Sequence, residues 1–228
     1  MPETHTAKKA GAGRTATKEA RRQQLINATL DSISKRGFSG TTLETVTKTA
    51  KLSHGIVNFH FKSKEDLYIE TLGFLATEHY DCWRAAVANA GPEPARQLAA
   101  IVGADFDPKI CTGKKLAVWF AFWGQARYRP NYLKMRYRYD DERAEELLRC
   151  CQDLIDDGCY QNLDAESLTR SIESIVDGLW LNMLLYPKEV NRQMAREDCL
   201  RYLAQIFPKH FARPGEPASG TDCGLVRP

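Results

Sequence analysis

The chain has 228 residues, of which 43% are hydrophobic and 27% are charged, a composition typical of a folded globular protein with room for more than one module. Its net charge is only +3, but residues 1–64 carry 12 Lys and Arg against 4 Asp and Glu, so this front part is +8 and the remainder is −5. A basic front part ahead of an acidic body is typical of a nucleic-acid-binding protein with a separate second domain.

Other classes of protein are disfavoured by what the sequence lacks. No window approaches the 18 or so apolar residues of a membrane span, and the N-terminus has no apolar signal-peptide core, so we expect a cytoplasmic protein without membrane contact. The seven cysteines form no Cys-x-x-Cys pair, so neither a zinc site nor a disulfide framework is indicated. The alternative of a thiol pair that senses oxidants, with adjacent Cys150 and Cys151 as candidates, stays open.

The first 18 residues have no hydrophobic period and are predicted to be a disordered arm. A helix is predicted from near Lys18 to Arg36, with Ile26, Leu30 and Ile33 on its buried face. Gly37 follows in the position that ends helices in a left-handed conformation.

Two short helices follow, joined by a tight turn. Thr42 is a good N-cap for the first, on which Leu43, Val46 and Ala50 form an apolar stripe. Ser53 is the predicted N-cap of the second, which buries apolar side chains and leaves small polar side chains exposed. This arrangement predicts a helix-turn-helix.

The rest of the chain is predicted to be helical as well, which makes the fold all-α with about nine helices. Breaks at Gly91–Pro94, 106–113, Pro130, Gly158 and Pro187 separate the elements. The domain prediction is an arm at 1–18, a three-helix DNA-binding module at 19–64, a larger helical ligand-binding and dimerisation domain at 65–211, and a disordered tail at 212–228.

The segment AKLSHGIVNFHFKSKEDL at residues 50–67 resembles the signature of TetR-type repressors, including the Phe-Lys-Ser-Lys-Glu-x-Leu entry into the next helix. One departure is Lys51, where the family has a turn glycine; a lysine can adopt the left-handed conformation at a cost of about 1 kcal/mol or somewhat more.

The resemblance implies double-stranded DNA as a partner and assigns roles to residues of the module. It implies phosphate contacts for Thr42, His60 and Lys64. The residues predicted to face the groove are Ser53, His54, Gly55 and Asn58, the asparagine being suited to bidentate bonding with adenine. Phe59 and Phe61 are expected in the core.

Tryptophans on the helices of the body carry a second prediction. Trp119 and Trp123 lie one turn apart on a helix that also carries Tyr128, and Trp180 lies on a later helix. They predict either an aromatic core or a cage for a cationic ligand, in which a quaternary ammonium gains roughly 0.5–2 kcal/mol per ring. Four acidic residues either supply counter-charge or face solvent and pair with Lys and Arg, namely Asp105, Asp107, Glu173 and Asp177.

A second resemblance favours the cage. The segments GADFDP from Gly103, WFAFW from Trp119, RYDDER from Arg138 and DGLWL from Asp177 are similar, in the same order, to the ligand domain of BetI-type choline-responsive repressors. This implies repression of glycine-betaine synthesis relieved by choline, with Trp119, Trp123, Tyr128, Asp177 and Trp180 as ligand-binding residues. We also expect a homodimer, paired through helices at roughly 165–186 and 191–207.

Enzymatic functions find no support in the motifs. Thr112-Gly113-Lys114-Lys115 lacks the upstream glycine and strand of a phosphate-binding loop. Neither a Gly-x-Ser-x-Gly motif nor a histidine pair at metal-binding spacing occurs. We therefore expect no catalytic residue, no metal and no cofactor. The alternatives that stay open are a redox-sensing regulator, a TetR-type regulator of another ligand, and an activator or structural DNA-binding protein with no ligand.

Overall fold

The computed structural model describes residues 10–211, and for residues 10–16, 133, 135–138 and 140 it describes the backbone alone. Every regular element in this range is an α-helix, and the nine helices found there confirm the all-α prediction. They are α1 (Ala10–Arg36), α2 (Leu43–Ala50), α3 (His54–His60), α4 (Lys64–Ala90), α5 (Pro94–Asp105), α6 (Gly113–Ala126), α7 (Pro130–Gly158), α8 (Ala165–Leu185) and α9 (Arg192–Ile206).

Two helix ends differ from the sequence prediction. Helix α1 begins at Ala10, so residues 10–18 of the expected arm are helical. Helix α6 ends at Ala126, and Pro130 begins α7, because the fixed φ of proline suits the first helical position. The remainder of the expected arm, residues 1–9, and the expected tail, residues 212–228, lie outside the described residues.

The caps that delimit the helices are largely those that the sequence predicts. Gly37 ends α1 with φ 70°, and its amide donates to the Ile33 carbonyl at 2.9 Å. Asp164 caps α8 by accepting from the Ser167 amide at 2.8 Å. Such side-chain and left-handed caps satisfy backbone groups that have no partner within the helix.

The chain divides into two compact units. The first contains the chain up to Leu75 and the segment Ala117–Met135; the second contains Ala76–Leu116 and the chain from Arg136 onward. Helices α4, α6 and α7 each contribute residues to both units. None of the helices between residues 10 and 211 is long and apolar enough to cross a bilayer.

The core of the first unit holds α1, α2 and α3 together. Its buried side chains come from all three helices and from the start of α4: Leu25, Ile26, Ala28, Val46, Ala50, Val57, Phe61 and Leu67. A hydrogen bond of 2.7 Å from Gln24 Nε2 to the Ala50 carbonyl also ties α1 to the end of α2. The buried face predicted for α1 is confirmed, since Ile26, Leu30 and Ile33 are each 2% exposed.

The second unit has its own apolar core, in which α5, α8 and α9 pack together. Its members include Leu98, Ile101 and Val102 of α5, all fully buried, with Ile172 of α8 and Leu203 of α9. Each unit therefore buries an apolar interior of its own.

Candidate functional site

The turn between α2 and α3 depends on Lys51, which has the left-handed backbone angles φ 54° and ψ 42°. Its amide donates to the Lys48 carbonyl at 3.3 Å, and the Leu52 amide donates to the Thr47 carbonyl at 3.0 Å. This pair of bonds is a Schellman motif, which satisfies carbonyls at the end of α2 while it reverses the chain. The helix-turn-helix prediction is confirmed, with lysine in a position that glycine would occupy without strain.

One face of α3 is polar and exposed. Ser53, His54, Gly55 and Asn58 are all exposed, whereas Val57 on the other side is 1% exposed. Ser53 stands at the N-cap position, but its side chain makes no capping hydrogen bond. A short helix anchored by its apolar side and carrying an amide, an imidazole and a hydroxyl outward has the side chains that read base edges in a major groove.

Phe59 corrects one prediction. It is 67% exposed, so it does not pack in the core as expected, whereas Phe61 is 3% exposed and does. Helical geometry explains the difference, because Phe59 is only about 100° around α3 from Asn58 and shares its exposed side. The Lys18 ammonium lies 5.4 Å from the centroid of this ring. Residue type alone predicts a buried Phe59, whereas its helical position next to Asn58 indicates the exposed side.

His60 closes α3 in a half-buried position, with its ring 5.1 Å from that of Phe59 and perpendicular to it. Burial, and then the positive charges of Lys18 and Arg22, lower the pKa of His60. Its Nδ1 is buried and has no hydrogen-bond partner among the described residues. At neutral pH the ring is therefore uncharged, and it can offer a phosphate an N–H group but not a full positive charge.

Thr42 and Lys64 each stand at the start of a helix. The Thr42 hydroxyl accepts from the Thr45 amide at 3.1 Å, and the Thr45 hydroxyl accepts from the Thr42 amide at 2.9 Å, which is a complete capping box. Lys64 begins α4, and its ammonium lies 5.1 Å from the centroid of the Tyr68 ring. Helix starts carry a partial positive charge, so both positions suit contacts with phosphate.

Arg129, in the turn between α6 and α7, holds the first turn of α4. Its guanidinium group forms an ion pair with Glu65 and lies 5.4 Å from the ring centroid of Phe38 and 5.7 Å from that of Tyr132. We call this arrangement the Arg129 clamp. Because Glu65 follows Lys64 directly, the clamp fixes the part of α4 that begins with a predicted phosphate contact.

Two predicted effector residues lie together on α6, in the first unit. The ring centroids of Trp119 and Trp123 are 6.1 Å apart, as their spacing of four residues predicts. Phe120 meets Trp123 edge-on at 4.8 Å. Tyr128 follows the end of α6 and is 77% exposed, which disfavours the role in a cage that the sequence predicts for it.

The other two predicted effector residues lie on α8, in the second unit. Trp180 is 4% exposed, and its indole Nε1 donates to the Asp105 carbonyl at 3.0 Å. Its ring packs against His79, with centroids 5.9 Å apart. Asp177 is half-buried, about one helical turn before Trp180. The structure thus brings together the two tryptophans of α6 and assigns the two α8 residues to a different unit.

A buried charge network surrounds Asp105, which is 1% exposed. Its Oδ1 lies 2.7 Å from His79 Nε2, its Oδ2 accepts from Arg143 Nη2 at 2.6 Å, and Arg143 Nη1 donates to Glu173 at 3.3 Å. Burial by itself raises the pKa of Asp105, but the Arg143 charge and the hydrogen bonds from His79 and Arg143 outweigh burial and hold this pKa below its usual range. We call these four residues the Asp105 network.

The network decides between the two roles that the sequence leaves open for Asp105, in favour of pairing with an arginine. A carboxylate already neutralised by a buried guanidinium group is not a free counter-charge for an external cation. Neither His79 nor Arg143 was predicted as a functional residue, because their partners come from helices far apart in the chain. One signal was present: Asp105 continues the buried face of Leu98, Ile101 and Val102 at helical spacing, which indicates a buried acid in need of a partner.

Comparison with known proteins decides the class. A family model described as bacterial regulatory proteins of the tetR family matches residues 25–71, and one described as the C-terminal part of BetI-type transcriptional repressors matches residues 94–208. The chain is a TetR-family transcriptional regulator of the BetI type. It is a DNA-binding repressor by family and belongs to a class of proteins that are not enzymes.

Individual relatives agree with this assignment. The chain is 33% identical to the HTH-type transcriptional regulator BetI of Paraburkholderia phymatum over 72% of this chain and 81% of that protein. A transcriptional regulator from Pseudomonas aeruginosa PAO1 has a similar structure, with a TM-score of 0.73, 25% identity, and coverage of 84% of this chain and 93% of that chain. A regulator from Saccharomonospora viridis, solved in complex with choline, shares the fold at 16% identity, with a TM-score of 0.71 and coverage of 81% and 96%.

Proposed function

We propose that this BetI-type regulator is a homodimer that is released from a near-palindromic operator by choline or a related quaternary ammonium compound and so controls glycine-betaine synthesis. The observation that carries the proposal is the exposed polar face of α3, within a chain whose body matches the BetI-type family. Repression and release then need no covalent chemistry, because differential binding of operator and effector suffices.

In the proposed DNA complex, the residues of the first unit divide into two groups. Thr42, His60 and Lys64 contact phosphates and set the register of the protein on the duplex. The base-reading residues are Ser53, His54, Gly55 and Asn58, with Gly55 allowing a close approach because it has no side chain. Asn58 carries the clearest specificity, since a bidentate bond to adenine is worth about 1–3 kcal/mol of discrimination.

For the effector, the proposal rests on the faces of Trp119 and Trp123 on α6. The roles expected for Asp177 and Trp180, in the second unit, stay predictions. Two tryptophans with centroids 6.1 Å apart offer the kind of surface that attracts a quaternary ammonium ion. The choline held by the Saccharomonospora viridis regulator supports choline as the first compound to test.

Dimerisation is proposed through α8 and α9. Large apolar side chains are exposed at the end of α8 and just after it, with Leu181 39%, Leu185 56% and Tyr186 50% exposed, and Met194 on α9 is 44% exposed. Exposed apolar residues that cluster on neighbouring elements favour a contact with another protein surface. A twofold dimer would present two copies of α3 to successive major grooves, which is why the proposed operator is a near-palindrome.

The signal between effector and DNA is proposed to travel through α4, which begins at Lys64. The Arg129 clamp supports this route, because it ties the α6–α7 turn to the first turn of α4. A coupling of about 1–3 kcal/mol is enough to change operator affinity about 5- to 150-fold.

The thiol chemistry disfavours the redox-sensing alternative. Cys150 and Cys151 are both fully buried, and burial raises the pKa of Cys150 to about 12 and that of Cys151 to about 11. Very little reactive thiolate is therefore present at neutral pH. An oxidant-dependent release from the operator that disappears in Cys150→Ser with Cys151→Ser would reinstate this alternative.

Calorimetry with choline and with betaine aldehyde tests the proposed effector. Wild type should bind at least one of the two, and Trp123→Ala should weaken that binding by about 0.5–2 kcal/mol through the loss of one ring. Tyr128→Ala is the matched control, because its exposed ring should contribute nothing. An absence of heat for both compounds would exclude this ligand class, and normal binding by Trp123→Ala would remove the α6 tryptophans from the site.

A further inference from the structure

Phe59 is a large apolar side chain on the exposed side of α3. Among the described side chains of α2 and α3, it alone is large, hydrophobic and exposed, with 67% of its surface accessible to solvent. A single exposed apolar side chain is ordinary on a protein surface, so exposure by itself assigns Phe59 no role. Its contacts and its neighbours on α3 supply the further observations.

The ring of Phe59 is held in place although it is exposed. The Lys18 ammonium on α1 lies 5.4 Å from the ring centroid, and the His60 ring meets the Phe59 ring perpendicularly, with centroids 5.1 Å apart. These two contacts restrict the ring, so a partner that binds it orders little that is not already ordered. The fold therefore presents an oriented apolar surface to solvent.

Gly55 lies one helical turn before Phe59 and leaves open space on the same side of α3. Apart from neighbouring backbone, a Cβ placed on Gly55 would meet only the Ser53 hydroxyl oxygen within 4 Å, at 3.9 Å. Helical side chains lean toward the N-terminus of their helix, so the Phe59 side chain leans toward this space. We call the space between the Gly55 backbone and the Phe59 ring the α3 notch. It has an apolar side and room for a group the size of a methyl.

The surroundings of the α3 notch favour DNA as its partner. Exposed His54 and Asn58 lie on the same helix, and the Lys18 ammonium adds positive charge beside the ring. A surface for another protein would extend the apolar area beyond one side chain, which α2 and α3 do not do among their described residues. In the major groove thymine presents an apolar group, its 5-methyl, and phenylalanine is one of the side chains that contact it.

We propose that Phe59 is a specificity-determining residue that contacts the 5-methyl group of one thymine in each half of the operator, with the methyl seated in the α3 notch. This inference rests on the proposed function, in which α3 enters the major groove. It adds a base that the polar residues of α3 do not recognise. Burial of one methyl group corresponds to about a 4-fold difference in affinity per half-site.

Replacement of thymine by deoxyuridine tests the contact, because it removes the methyl group and keeps every base-pairing hydrogen bond. The full chain is titrated by fluorescence anisotropy with an operator selected from random duplex DNA, in which thymines are replaced one symmetric pair at a time. Replacement of one such pair should weaken wild-type binding by about 15-fold, as the product of about 4-fold in each half. If no replacement weakens wild-type binding, the proposal is overturned.

Phe59→Ala removes the ring and should abolish this sensitivity. The variant should bind the thymine duplex and the corresponding uracil duplex equally, within about 2-fold, and Phe59→Leu should recover part of the difference. Tyr128→Ala, which removes an exposed ring outside α3, is the matched control and should keep the full difference. If Phe59→Ala retains the wild-type ratio of affinities, whatever its overall affinity, the ring does not contact the methyl group and the proposal fails.

Gly55→Ala tests the α3 notch from its other side. The added methyl has room in the free protein but fills the space proposed for the thymine methyl, so the preference for thymine over uracil should disappear. Both positions are exposed, so Gly55→Ala and Phe59→Ala should lower the melting temperature by no more than about 2 °C. An unchanged preference in Gly55→Ala would overturn the seating of the methyl in the notch.

Failure of this inference can be told apart from failure of the proposed function. If choline does not release the operator while the thymine contact is found, the effector response is wrong and the role of Phe59 stands. If choline releases the operator but no thymine methyl contributes to binding, the role of Phe59 is wrong and the switch stands. If no operator can be selected at all, both are overturned.

Discussion

The two compact units use polar side chains in opposite ways. In the first, Ser53, His54 and Asn58 face outward from a short helix whose other side is anchored in an apolar core. In the second, Asp105 and Arg143 are buried against each other and shielded from solvent. The residues proposed to recognise DNA are therefore exposed and cost the fold little, whereas the core of the second unit includes charges that the fold must keep paired.

Removal of the buried guanidinium group should produce the largest effect. Arg143→Met leaves Asp105 buried with His79 as its remaining partner, so the free energy of unfolding should fall by about 3–5 kcal/mol. Urea denaturation followed by circular dichroism measures this loss. Arg170→Met is the control, because Arg170 is exposed and pairs with exposed Glu166 on the same helix, so its loss should change stability by less than about 1 kcal/mol. Equal losses of unfolding free energy in the two variants would show that burial does not determine how much each charged residue contributes to stability.

The pH dependence of stability sharpens the same contrast. Because the pKa of Asp105 is held below its usual range in the folded protein, its carboxylate stabilises the fold above its unfolded pKa of about 3.9, and this contribution is lost as the pH falls through the folded value. Asp105→Asn should therefore be least stable relative to wild type near neutral pH. The difference between the two proteins should shrink as the pH is lowered from about 5 to about 2. A difference that stays constant over that interval would contradict the assignment.

Asn58→Ala, on the exposed face of α3, should change DNA recognition and leave folding unaffected. It should cost about 1–3 kcal/mol of discrimination at one adenine of the operator, with the free energy of unfolding unchanged within about 0.5 kcal/mol. Fluorescence anisotropy with operator duplexes substituted one base pair at a time measures the discrimination. If Asn58→Ala weakens binding to all duplexes equally, the side chain contacts the backbone of the DNA and does not read a base.

The smallest expected effect concerns the turn that presents α3. Lys51→Gly should stabilise the protein by about 1 kcal/mol, because glycine adopts the left-handed conformation without steric cost. Lys48→Gly, on the exposed surface of α2, is the matched control and should destabilise the protein by about 1 kcal/mol. Thermal unfolding of both variants reports the sign directly. Destabilisation by Lys51→Gly would mean that the lysine side chain stabilises the turn by more than its backbone strain costs.

The difference between exposed and buried polar residues also explains how much of each unit could be predicted from the sequence. The short helices, their N-caps and the position of Lys51 were predictable, because caps and turns depend on neighbours within four or five residues. The exposed position of Phe59 was not predicted, although helical spacing contains that information. The helical conformation of residues 10–18 also went unpredicted, since their small and polar residues show no hydrophobic period.

The partners of the buried polar groups in the second unit could not be predicted from sequence patterns. Asp105, His79 and Arg143 come from three helices, and only the folded chain brings His79 within 2.7 Å and Arg143 within 2.6 Å of the Asp105 carboxylate. The domain boundaries and the full sets of DNA-binding and effector-binding residues stay predictions.

The measurement that tests the central claim most directly is the affinity of the full chain for its operator with and without choline. An operator selected from random duplex DNA, titrated by fluorescence anisotropy at fixed salt, supplies the probe. The account predicts a near-palindromic site and a 5- to 150-fold loss of affinity, or about 1–3 kcal/mol, when choline is saturating. Operator binding that is tight and unchanged by choline, in a protein that nonetheless binds choline, would contradict the proposed switch.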